Sequence, residues 1–135
     1  MIVRYLGGRK FEIEHRQHRV LTDQPLEHHG EDTALTPTEL MMGALAACAA
    51  LYASSVAARH GLGREDLTVE AQWHLAPDAS RVDTIALLLV FARPVPPEIV
   101  QAVHRAAEQC TLHGTLRTPP EITIEVAMRS GTPGG

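Results

Sequence analysis

From Leu40 to Ala58 the chain runs for 19 residues without a charged side chain, and no other stretch restricts its fold as strongly. Thr36-Pro37-Thr38-Glu39 precedes it as a capping box: a threonine cap, proline at the first helical position and glutamate three residues after the cap. At the far end Arg59 and His60 suit the negative end of a helix, and Gly61 can take the left-handed conformation that closes one. The reading is one helix from Thr36 to Gly61, about 37 Å long at 1.5 Å per residue. A domain of 135 residues has a radius of gyration of roughly 14 Å, so this helix crosses the whole body. Being uncharged on every side, it is expected to be enclosed on every side. A sheet of the same chain covers one side, and a partner chain is the simplest cover for the other. The run nearly reaches membrane-spanning length. It is nevertheless rich in alanine, broken by Gly43, Ser54 and Ser55, and no second such run follows, so a buried core helix is the better reading.

Around this helix the pattern changes to strands. Ile2 to Leu6 and Phe11 to Glu14 alternate across Gly7-Gly8-Arg9-Lys10 as a hairpin, and Arg19 to Thr22 adds a third short strand. The polar stretch Asp23 to Ala34, with Pro25 and Gly30, reads as a loop. Leu67 to Leu75 and Ile85 to Ala92 read as paired strands. Pro96-Pro97-Glu98 opens a second helix whose apolar face holds Ile99, Val100, Val103, Ala106, Ala107 and Cys110. Ile122 to Val126 alternates as a last strand, and residues 130–135 have the composition of a loose tail. The expectation is a single domain over residues 1–135.

Twelve Lys and Arg stand against sixteen Asp and Glu, a net charge of -4, so no basic surface is available for nucleic acid. Met1 to Gly8 lack the basic flank and apolar run of a secretory signal, and a cytoplasmic chain is expected. Two cysteines in that compartment do not make a lasting structural disulfide. Catalysis, redox sensing and plain burial remain open for Cys48 and Cys110, which lie on different elements 62 positions apart.

Of the eight histidines, His28-His29 fall in a loop, His60 at a helix end, and only Cys110-Thr111-Leu112-His113 resembles metal-ligand spacing. Without paired CxxC or HxxxH no metal site is expected. Gly7-Gly8-Arg9 is no phosphate loop, since no helix with lysine and a hydroxyl follows it.

Four segments together resemble the OsmC/Ohr family over nearly the whole chain. They are His18-Arg19-Val20-Leu21-Thr22-Asp23-Gln24-Pro25 with Gly30-Glu31-Asp32; Thr36-Pro37-Thr38-Glu39-Leu40 through Ala47-Cys48; Ala107-Glu108-Gln109-Cys110-Thr111-Leu112-His113-Gly114-Thr115-Leu116; and Pro120-Glu121-Ile122. The second is the most specific. The resemblance implies an α+β fold in which two chains intertwine as a homodimer, with long central helices enclosed between antiparallel sheets. It also implies thiol-dependent reduction of organic hydroperoxides, hydrogen peroxide for some members, with Cys48 as the peroxidatic and Cys110 as the resolving cysteine. No bound cofactor is implied; an external dithiol, such as a lipoyl group, returns the electrons.

Cys48 lies more than two turns from the helix start, beyond the reach of the positive dipole end, and an apolar setting disfavours a thiolate. No lysine or arginine lies between Glu39 and Ala58. A reactive Cys48 therefore needs a cation from elsewhere. The expectation is Arg9 held by Glu39, with Arg19 as rival. Thr38 stands where organic-hydroperoxide members carry a further acid, and Thr111 and Gly114 stand where proline and arginine are common. These departures support the alternative, a non-catalytic dimer that binds a small hydrophobic molecule.

Overall fold

The computed structural model describes residues 1–128, so the tail read for residues 130–135 lies outside the described residues. The elements follow in the order β1 (Ile2–Gly7), β2 (Lys10–His15), β3 (His18–Thr22), α1 (Pro37–Arg59), β4 (Leu67–Leu75), β5 (Val82–Phe91), α2 (Pro97–Glu108) and α3 (Thr111–Arg117). The fold is α+β, with an antiparallel β1-β2-β3 sheet and a separate antiparallel β4-β5 pair.

The first hairpin turns at Gly7 and Gly8, whose φ angles of 116° and 55° lie where a side chain is disfavoured. It sets Tyr5 opposite Phe11, with ring centroids 5.6 Å apart. This sheet packs only marginally on the rest of the chain, and Ile2, Val3, Tyr5, Leu6, Val20 and Leu21 are exposed.

The core forms around α1, about 35 Å long. Met42, Leu45, Ala49, Ala53 and Ala57 make one buried stripe at the spacing of a single helix face. That stripe packs against β4 and α2, where Ala53, Ala57 and Val103 are the centre of a cluster with Leu67, Leu89, Phe91 and Ile99 around it. The three alanines leave room for α2 to approach closely. Among the described residues nothing covers the opposite side, and Leu51 is 59% exposed. By length and composition α1 could cross a membrane; its packed stripe makes it the core helix of this domain.

Three sequence expectations need correction. The last strand, Ile122 to Val126, is not formed: residues 119–128 carry no strand pairing, and Ile122, Ile124, Val126 and Met128 are exposed. The alternation is there, but a strand exists only where another supplies its hydrogen bonds. The fifth strand begins at Val82 rather than Ile85. Finally, Cys110 is not part of the second helix, which ends at Glu108; it caps a further helix, α3, that the sequence reading missed. Gly114 and two β-branched threonines in Thr111–Arg117 hide that helix from propensity.

Candidate active site

The start of α1 is fixed as its sequence demands. The Glu39 N–H donates to Thr36 Oγ1 at 3.2 Å and the Thr36 N–H donates to Glu39 Oε2 at 2.7 Å, a closed capping box. The loop leading to it is built on Asp23, which is 1% exposed. Its carboxylate accepts from the main-chain N–H groups of Gln24, Glu31 and Thr33 and from the Thr33 hydroxyl. The Thr33 hydroxyl above all, with these N–H groups, pulls the Asp23 carboxyl down to about 2. At Gly30 a Cβ would lie 1.8 Å from the Gln24 carbonyl oxygen, so only glycine fits. Asp23 escaped the sequence reading because its partners lie 8 and 10 residues away, outside any local turn pattern.

Two residues past the end of α2, Cys110 is the cap of α3: its Sγ accepts the His113 N–H at 3.2 Å. It is 1% exposed. Burial pushes the Cys110 thiol up, and the adjacent Cys48 side chain adds to this, while the His113 N–H opposes it. Cys48 projects from the middle of α1 and is half-buried; both cysteines are free thiols. The structure thus brings together two sulfurs that the sequence separates by 62 positions, because α1 packs against both α2 and α3.

Beside Cys110 opens a cavity of about 260 Å³. Leu45 and Ala49 of α1, Ile85, Leu87 and Leu89 of β5, and Ala107 and Leu116 make it apolar, and His104, Glu108 and His113 supply its polar edge. His113 Nδ1 lies 2.6 Å from the Glu108 carbonyl oxygen. Because a carbonyl only accepts, Nδ1 carries the hydrogen, and in the neutral ring Nε2 is left with a lone pair.

The remaining candidates stand apart. Arg9 lines a second cavity of about 500 Å³ with Phe11, Gln24, His28, His29 and Pro37. Cys48 lies eleven residues beyond Pro37, about 16 Å along the helix. Among the described residues no ion pair joins Arg9 to Glu39; the Glu39 carboxylate serves the cap. Arg19 lies 3.9 Å from Glu12 on the exposed sheet. Among the described residues no group of three or more His, Cys, Asp or Glu is placed to hold a metal ion.

The sequence profile of the family described as OsmC-like protein matches residues 30–125, a span that includes both cysteines, the whole lining of the cavity beside Cys110 and, of the Arg9 cavity, Pro37. None of the curated proteins matches the chain. Among solved structures, the fold is similar to that of a protein from Psychrobacter arcticus 273-4 described as an osmotic stress induced and detoxification response protein. The TM-score is 0.77 at 22% identity, over 84% of this chain and 85% of that one. It is also similar to a protein from Legionella pneumophila described as an organic hydroperoxide resistance protein, with a TM-score of 0.61 at 21% identity over 86% and 88% of the two chains. At these identities the likeness is one of fold.

Proposed function

The chain belongs to the OsmC-like protein family, and from that premise we propose that it is a cytoplasmic cysteine peroxidase that reduces organic hydroperoxides through a Cys48–Cys110 disulfide cycle. The observation that carries this reading is the meeting of two free thiols, of which Cys110 lines an apolar cavity. Cys48, as thiolate, attacks the terminal peroxide oxygen; an S–O bond forms, the O–O bond breaks, and the alkoxide leaves as alcohol after taking a proton. The Cys110 thiol then attacks the Cys48 sulfenic sulfur, forming the disulfide and releasing water. An external dithiol, such as a lipoyl group, returns two electrons. The division of roles is supported by Cys110, whose buried thiol is held protonated, as suits the second partner rather than the first attacker.

The working unit in this reading is a homodimer. A second copy would cover the open side of α1 and the exposed β1-β2-β3 sheet and would offer an edge to residues 119–128. It would also bring an arginine to Cys48, which neither Arg9 nor Arg19 does within one chain.

The apolar cavity and the distance of Arg9 from Cys48 favour one second reading, a non-catalytic dimer that holds a small hydrophobic molecule. Thiol titration before and after one equivalent of cumene hydroperoxide separates the two. The peroxidase loses both thiols together; the binder keeps both.

A further inference from the structure

We propose that His113 carries the proton of the resolving step, taking it from the Cys110 thiol as Cys110 attacks the Cys48 sulfenic acid and handing it to the departing hydroxide. This rests on the two-cysteine reading above. In that step the S–S bond forms and the Cys48 S–O bond breaks. The Cys110 sulfur is oxidised at the expense of the sulfenic acid, and the transferred proton leaves in a water molecule, so no further oxidant is consumed.

The geometry singles out His113. Its main-chain N–H is already bonded to Cys110 Sγ at 3.2 Å, and its imidazole lines the same cavity as Cys110. In the neutral ring the bond from Nδ1 to the Glu108 carbonyl fixes the tautomer and leaves Nε2 as the base, which in this proposal takes the thiol proton directly or through one water. A carrier is needed because Cys110 is enclosed and its thiol holds its proton more tightly than a free one. The other groups that could serve at this cavity are His104 and Glu108 of α2, which lie 3.7 Å apart. The α1 and β5 residues that line it, Leu45, Ala49, Ile85, Leu87 and Leu89, do not ionise.

The test is single-turnover oxidation with one equivalent of cumene hydroperoxide from pH 5 to 8. Dimedone capture reads the Cys48 sulfenic acid, and mass spectrometry reads the disulfide. His113→Asn keeps an N–H donor for the Glu108 carbonyl and removes the Nε2 base, so it rescues a purely structural role. The expected result is a fall of about 100-fold in the ratio of the resolving rate to the first oxidation rate, with a changed pH profile. His74→Gln, at an exposed position on β4 outside the cavity, keeps the wild-type ratio and profile. A His113→Asn protein that resolves at wild-type speed with the wild-type pH profile overturns the assignment, as does transfer of the defect to His104→Gln. If wild-type Cys48 captures no oxygen from the peroxide, the peroxidase reading itself falls and this one with it.

Discussion

Glu39 Oε2 accepts the Thr36 N–H at 2.7 Å while Thr36 Oγ1 accepts the Glu39 N–H in return. The carboxylate expected to steady an arginine is therefore engaged at the start of the core helix. Glu39→Ala should cost about 1 kcal/mol of stability in denaturant melts, whereas Glu39→Gln keeps the box closed. If Glu39 also orients an arginine by its charge, Glu39→Gln will lose peroxide turnover with its stability intact. Retained turnover assigns Glu39 to the cap alone.

The two cysteines should fail differently. Cys48→Ser abolishes peroxide consumption. Cys110→Ser permits one oxidation and then stalls, with Cys48 advancing to sulfinic or sulfonic acid in the mass spectrum. Oxygen found on Cys110 in the wild type, with Cys48 reduced, would reverse the roles.

Arg9 lines a cavity with Pro37, about 16 Å along α1 from the Cys48 of its own chain. Its contribution is therefore expected in trans. Arg9→Ala should slow Cys48 alkylation at neutral pH and lower the peroxide rate by about 100-fold, in line with the loss of one electrostatic donor. Mixed dimers of Arg9→Ala with Cys48→Ser chains should recover activity, because one of their two sites has both groups. No recovery, or the same slowing from Arg19→Ala alone, rejects Arg9 as the activating cation.

Ile124 is 87% exposed in the single chain, and a substitution at so open a position ordinarily changes stability by no more than about 0.5 kcal/mol. If residues 119–128 pair with a second copy, Ile124→Asp instead raises the dimer dissociation constant by at least about tenfold in sedimentation equilibrium. A wild-type chain that sediments as a monomer at micromolar concentration removes the dimer.

Asp23 releases its proton more readily when folded, since its carboxyl sits at about 2 rather than 3.8. Its contribution to stability is therefore present above its ordinary value and is lost as pH falls from about 4 towards 2. Asp23→Asn should be less stable than the wild type at pH 7, with the gap narrowing through that window. A constant gap would mean the loop does not depend on the charge.

What the sequence showed, it showed through local grammar. The capping box, the uncharged run and the glycine hairpin are each written within a few residues, and the structure places α1 and β1–β2 accordingly. The meeting of Cys48 with Cys110 was legible only through family resemblance, because packing of α1 on α3 has no signature in spacing. Cys110 read as a continuation of the second helix since the periodicity of its apolar face runs on past the break at Gln109. The Asp23 network and the tautomer of His113 depend on main-chain atoms of distant residues, which side-chain patterns do not encode. The absent last strand is the converse case: its alternation is local, while the edge that would complete it is not among the described residues.

The seam of Ala49, Ala53 and Ala57 on α1 also determines how finely the sulfurs are spaced. Alanine has no rotamers to lose or to exchange, so along this face the approach of α2 to α1 is gauged by main chain rather than by adjustable side chains. Ala49 is the residue next to Cys48, and α2 leads directly into Cys110. The seam is therefore a ruler between the thiols, and one added methylene in so close-packed a contact would be read out at the sulfurs as lost reach.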